Sequence, residues 1–429
     1  GILPLWNPHL ALGVPFLANL QSSVFYPLSL IYYILPFGTG FKYFIVLHYF
    51  LAGAGMFLLM RHWEYDNYAG MCSAIIFMFG GYMISILDNV AFLTAAVWLP
   101  LIVLAYDRFL KGRNRLYLVL TGVLVGLQIL AGDASCYVLS TFLFMIAYHL
   151  FCLRSGQYQV FRSKARSLWY IPCVWLIGIL LSAIVLIPFA EFVFSSTRAG
   201  GFSYEELTKW SYHPLELLQL LVPYLFGSTV PMDRWFGQFW LDTFYIGVLP
   251  ILLVIFSLRW SRNGMTYFSI GVVICFCVMA FGKYTPLFSL IRYIPGLNVI
   301  HYPVKYLFLA GFSLAVLAGM GFSALFEKLK QGQTKGLDLF LLVTNVMAIV
   351  ILFAAMLLDD LLFNAFQGIY PRTLFHKIVS AESAYLSVFK GYAVFVLLFV
   401  ASSLLIILTI RGKLAARASK VMAILLLLA

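Results

Sequence analysis

From about residue 41 onward the chain alternates long apolar runs with short polar breaks. Candidate membrane spans cover 41–60, 69–87, 90–110, 116–131, 138–153, 168–190, 244–258, 266–281, 306–325, 337–358 and 392–410. Most approach the ~20 residues a helix needs to cross hydrocarbon, and the shorter ones are expected to extend into their flanking loops. The pattern predicts an all-α polytopic transmembrane helix bundle of about 11–12 spans, counting the start of a further one. Leu28 to Phe37 is apolar but too short to cross, so it is expected to be re-entrant or interfacial.

The stretch before the first span breaks the pattern. Trp6 to Pro27 reads WNPHLALGVPFLANLQSSVFYP. Pro8, Pro15 and Pro27 remove backbone donors there, and Asn7, His9, Asn19, Gln21, Ser22 and Ser23 supply polar side chains. Irregular polar backbone next to a membrane must lie against protein or line a wet cavity, so residues 1–40 are expected to form a polar segment on the outer face.

Composition agrees with the class: 63% of residues are hydrophobic and 10% charged, far from the averages of soluble proteins. The net charge of +12 suggests a polyanion partner until its placement is considered. With the opening segment outside, 17 of the 28 Lys and Arg fall in inner loops and nine in outer ones, which is orientation information and argues against nucleic acid as a partner. Of the 16 acidic residues, eleven fall on the outer side. The chain opens on Gly1 and ends in the apolar run Val421 to Ala429, so a single integral membrane domain cut at both ends is expected. Three outer loops exceed what connection requires: 191–243, 282–305 and 359–391. In the first, PLELLQLLVPY at Pro214 to Tyr224 predicts a helix lying at the interface. The basic inner loop from Arg154 to Arg166 suits lipid headgroups. The six cysteines show no metal or redox spacing and are expected to be buried as small hydrophobes.

Candidate chemistry gathers near the outer face. Asp88 and Asp133 sit in short turns between spans, where an ionisable group is costly and often marks a site, although a carboxylate at a helix end also serves as a solvated cap. Glu191 ends another span. His301 and Lys305 lie four residues apart around Pro303, which predicts a helix entering the membrane with the Lys305 ammonium turned outward toward a phosphate. Arg198 and Arg292 are further cations for that phosphate, and Asn7, His9, Asn19 and Gln21 are candidate hydrogen-bonding groups for a substrate. Such a site requires a groove reaching hydrocarbon, cations at the interface and a carboxylate base, for which Asp133 and Asp88 are the candidates.

Four stretches carry a family resemblance: WNPHLALGVPFLANLQSSVFYPL, LAGDASCYVL at Leu130 to Leu139, HPLELLQLLVPYLFG followed by YIG at Tyr245 to Gly247, and HYPVKYLFLAGFSLAVLAGMG at His301 to Gly321. Together, and in this order, they resemble the YfhO-type bacterial membrane proteins of the GT-C glycosyltransferase superfamily. The resemblance implies a multi-pass enzyme of the bacterial inner membrane that uses no nucleotide cofactor. It would take a sugar from a polyprenyl-phosphate-linked donor and pass it to a glycan or lipid acceptor on the non-cytoplasmic face. Membrane lipid is implied as a partner, and a divalent metal is compatible. The chain departs from the family at Ala134 and Ser135, where a longer polar side chain is usual, and at His301, where Arg is usual. The superfamily's base is usually an Asp in the first outer loop, expected before Gly1. Two other readings stay open: a transporter or flippase of a lipid-linked glycan, and a non-catalytic assembly protein of the envelope. No internal repeat supports the first of these.

Overall fold

Each of the eleven apolar stretches carries helix in the computed structural model, which describes residues 5–10, 12–132, 135–155, 167–228, 234–294, 297–334, 336–370 and 379–427. Among the described residues, eight helices are long and apolar enough to cross a membrane: Phe37–His62, Asn67–Asp88, Val90–Gly112, Cys136–Ser155, Tyr170–Phe194, Pro303–Lys330, Leu337–Leu357 and Ala381–Ile410. Three shorter apolar helices, Arg115–Leu130, Val248–Trp260 and Gly264–Ala280, complete the set. The fold is all-α and polytopic, with a single described hairpin of two strands pairing Trp6 with Pro15 and Asn7 with Val14. Arg61, Lys111, Arg154, Arg259 and Lys328 stand in the last turns of their helices, where free carbonyls favour a cation. The basic residues Arg162, Lys164 and Arg166 lie outside the described residues.

The chain divides into two compact units. The first comprises Gly1–Glu64, Ile86–Lys209 and Ile274–Ala310. Its tightest crossing joins Arg115–Leu130 to Tyr170–Phe194. Gly122 and Gly126 face Gly178 there, and a Cβ on Gly122 would sit 2.6 Å from Ile177 Cβ. The GxxxG spacing is thus a packing device, in which missing side chains let two backbones approach. Gly122→Val is expected to lower stability by about 1–3 kcal/mol through overpacking, read as a drop in apparent melting temperature in detergent. Fully buried Asp107 accepts from Tyr148 Oη at 2.6 Å and His62 Nε2 at 2.8 Å, with Lys111 Nζ at 3.6 Å. Hydropathy gave no hint of this carboxylate, because one charge in an apolar run barely moves a window average.

The second unit comprises Tyr65–Ser85, Trp210–Val273 and Gly311–Ala429. The helical stretch after Asp66, whose carboxylate caps Ala69 N at 2.7 Å, breaks at Gly80. The break admits a crossing chain: Gly81 N donates to Tyr245 O at 2.7 Å, and Ser85 Oγ exchanges hydrogen bonds with Thr243. Residues 244–247 accordingly carry no helix, where hydropathy alone predicts the start of a span. Asp66 also pairs with Lys420 of the helix Ala416–Leu426.

The predicted interfacial helix is the 3-10 turn Pro214–Leu220. Leu215, Leu218 and Leu221 are exposed whereas Glu216 and Gln219 are buried, so its apolar side faces outward, as an element resting against lipid requires. Glu216 accepts from Arg234 Nη2 at 2.7 Å, His213 N at 2.7 Å and Gln238 N at 3.4 Å. Arg234 donates onward to the carbonyls of Phe236, Leu241 and Asp242. Burial raises the Glu216 carboxyl above the usual range against the pull of Arg234 and these backbone donors. The pair ties the turn at Glu216 to the stretch from Arg234 to Asp242. Next to it, Trp235, Phe226, Val379 and Ala384 form a small core with Phe366 and Tyr370 packed on it.

Two expectations need correcting. Cys173 and Cys275 are exposed on their helices while the other four cysteines are buried. The last long helix begins at Ala381, where Ser380 Oγ accepts from Ser383 N at 3.1 Å, and not at 392. Its first turns carry Glu382 and Lys390, which hide them from a hydropathy window.

Candidate functional site

Two cavities of the first unit flank one turn. The turn closes the helix Arg115–Leu130 and leads into Cys136–Ser155. Ala131 O accepts two hydroxyls, Ser23 Oγ at 2.8 Å and Thr94 Oγ1 at 2.6 Å. Gly132, at φ +149°, lies so close to the helix Val90–Ala96 that a Cβ on it would meet Ala91 Cβ at 2.8 Å. Asp133, the next residue, lies outside the described residues.

On one side of this turn is a hollow of about 360 Å3 between the opening segment and the helix Val90–Ala96. Gln21, Ser22, Ser23 and Thr94 contribute polar groups to its wall, and Phe16, Tyr32, Tyr33 and Phe41 contribute rings. The opening segment is held rigidly. Asn19 Oδ1 accepts from Gln21 N at 3.1 Å, and Ser23 adopts a left-handed conformation at φ 50°. Tyr26 is buried, donating its hydroxyl to His48 Nε2 at 2.7 Å and accepting from Trp98 Nε1 at 3.2 Å. His48 Nδ1 donates to Phe44 O at 2.6 Å, which leaves Nε2 as the acceptor for Tyr26.

On the other side is a larger groove of about 540 Å3 among the helices Arg115–Leu130, Cys136–Ser155 and Tyr170–Phe194. Leu139, Phe142, Trp175 and Ile179 make it apolar, and Ser135 and His301 supply its polar groups. His301 packs edge-on against Phe202 at 4.7 Å. Phe202 N donates to Asn298 O at 3.0 Å, so the segment before the short helix Tyr204–Leu207 straps the His301 loop in place. Exposed Glu206 accepts from Ser203 N and Oγ, which holds its carboxyl below the usual range, with smaller contributions from His301 and Lys209.

Lys305 stands between the two. It is 4% exposed, with its ammonium 4.3 Å from the centre of the Phe92 ring and 5.4 Å from that of Tyr302. The predicted outward ammonium is therefore turned inward, because Pro303–Tyr306 is a 3-10 turn that buries all four of its residues before the helix continues. The run from His301 to Lys305 thus leads from the groove to the helix whose Val90, Ala91 and Thr94 line the hollow.

The other predicted residues divide by position. Gln21 lines the hollow, whereas Asn19 spends its side-chain oxygen on capping the turn beside it. Asp88 is exposed two residues before Val90, and Glu191 is exposed two residues before Val193, which lines the groove. Asn7 accepts from His9 N at 3.0 Å within the hairpin turn, and His9 is exposed; neither lines a cavity. Arg292 is exposed over the Tyr204 and Tyr293 rings, apart from both cavities. Arg198 belongs to the 3-10 turn Thr197–Gly200. Ser135, Thr94, Tyr32 and Trp175 were not singled out by sequence. A polar Thr inside an apolar run and a Tyr-Tyr pair just after proline-rich polar chain were the available signals.

Among the described residues, no three His, Cys, Asp or Glu side chains converge as metal ligands. No curated protein and no solved structure matches the chain. The family described as "Bacterial membrane protein YfhO" matches residues 5–429. On that match over nearly its whole length, the chain belongs to the YfhO family of bacterial membrane proteins.

Proposed function

We propose that the chain is a GT-C-type glycosyltransferase of the bacterial inner membrane. It moves a sugar from a polyprenyl-phosphate carrier to an envelope acceptor on the non-cytoplasmic face. The observation that carries this reading is the apolar groove with its polar groups at Ser135 and His301. Its size falls within the roughly 300–1,000 Å3 of small-molecule sites, and its walls suit an isoprenoid chain while His301 meets the phosphate.

The chemistry is a single displacement. The acceptor hydroxyl oxygen bonds to the anomeric carbon as the bond from that carbon to the phosphate oxygen breaks. The bonding pair leaves with the polyprenyl phosphate, and the acceptor proton passes to the carboxylate of Asp133. His301, which lines the groove, counters the charge gathering on the leaving phosphate.

The test uses the protein in nanodiscs with a radiolabelled polyprenyl-phosphate sugar and extracted envelope glycans. Leu139→Trp fills the groove and is expected to cut transfer at least tenfold while the protein remains folded; undiminished transfer overturns the reading. Label that crosses a sealed bilayer without joining an acceptor overturns it in favour of a flippase. Cysteines placed at Asn19 and His301 are expected to react with an impermeant thiol reagent from the outer side, and one at Gly112 is not. Labelling at Gly112 from outside would reverse the topology.

A further inference from the structure

We infer that the hollow beside the opening segment is a separate subsite for a neutral hexopyranose ring, the acceptor end of the reaction; this rests on the glycosyl-transfer reading. A sugar ring presents two kinds of surface, hydroxyls around its edge and a patch of C–H groups on its face. The hollow presents the complement of both. Gln21 offers an amide that donates and accepts on one plane, and Ser22 and Ser29 bring hydroxyls to the same wall. Tyr32, Tyr33 and Phe41 offer rings for the C–H face.

Charge decides the ligand class. None of the described residues lining the hollow is charged, so a phosphate or carboxylate entering it would lose its hydration without a counter-ion. The groove, by contrast, has almost no hydrogen-bonding wall and would leave sugar hydroxyls unsatisfied. A lipid chain and a polyhydroxylated ring therefore cannot exchange places.

Geometry supplies the second argument. The hollow meets the turn at Ala131 through Ser23 and Thr94, and the groove meets it at Ser135, four residues later. The two cavities are thus tied to chain positions four residues apart, which brings an acceptor in one near a carrier in the other. The polar wall is also set before binding. Asn19 caps the Gln21 turn, Ser29 Oγ donates to Ser23 O at 3.2 Å, and Tyr26 is locked below, so little ordering remains when a sugar arrives.

The experiment is ligand-observed saturation-transfer NMR on the whole chain in nanodiscs, with soluble methyl hexopyranosides as probes and glycerol phosphate as the charged comparison, alongside the transfer assay. Binding of at least one methyl hexopyranoside is expected, weakened at least fivefold by Gln21→Leu and by Tyr33→Leu, and retained in Leu139→Trp. Tyr33 is well exposed, so its replacement keeps the test valid if Gln21→Leu disturbs the loop. In the transfer assay both hollow variants are expected to raise the acceptor KM more than they lower kcat. No hexopyranoside binding to the wild type, binding unchanged in both variants, or glycerol phosphate binding in place of the sugars overturns the subsite. Sugar binding that depends on Gln21 and Tyr33 in a protein that transfers nothing removes the transferase reading and leaves the subsite standing. Transfer with an unchanged acceptor KM in both variants does the reverse.

Discussion

Asp133→Asn is expected to reduce glycan transfer at least a hundredfold with no loss of protein from the membrane. The substitution keeps size and polarity but removes the ability to take a proton at neutral pH, and general-base catalysis contributes roughly 10²–10⁴ in rate. In sequence Asp133 falls between Ala131, whose carbonyl accepts from Ser23 and Thr94, and Ser135, which lines the apolar groove. Asp88 is exposed and lines neither cavity. Measuring transfer for Asp133→Asn and Asp88→Asn in parallel separates the two. If Asp88→Asn is the one that loses activity, the base has been assigned to the wrong carboxylate.

The second large effect concerns stability. Glu216→Ala strands the Arg234 guanidinium in a fully buried position with only backbone carbonyls for company, and breaking a buried pair in this way costs roughly 3–5 kcal/mol. The double replacement Glu216→Leu with Arg234→Met is expected to recover much of that loss, because an apolar pair of similar volume avoids desolvating two charges. Apparent melting temperatures of Glu216→Leu, Arg234→Met and the double variant in detergent form the cycle. Additive losses would show that the two side chains do not act as a pair.

Much of the fold could be read from the chain because the bilayer reduces the problem to one variable. An apolar run long enough to cross must be helix, so every predicted span carries helix. What hydropathy cannot distinguish is burial in protein from burial in lipid. Cys173 and Cys275 are as apolar as their neighbours yet face outward. Nor can it see a helix that begins in polar sequence, as Ala381–Ile410 does with Glu382 and Lys390, or a helix interrupted so that another stretch of chain can cross, as at Gly81.

The candidate site was legible as a list of polar residues and not as an arrangement. Asn19 and Gln21 look alike in sequence, and only the cap from Asn19 Oδ1 to Gln21 N shows that one shapes the loop while the other lines the hollow. Lys305 was recognised by its charge, but its direction depended on whether the backbone after Pro303 forms α-helix or the tighter 3-10 turn that the structure contains.

The bond from Ser23 to Ala131 joins residues 108 positions apart. During synthesis the opening segment emerges before its docking partner, which is made only after a further hundred or so residues, at about 5–20 per second. Several helices must therefore be made before the segment can settle. Its ordering is delayed in biogenesis until the helix about a hundred residues after it is in place.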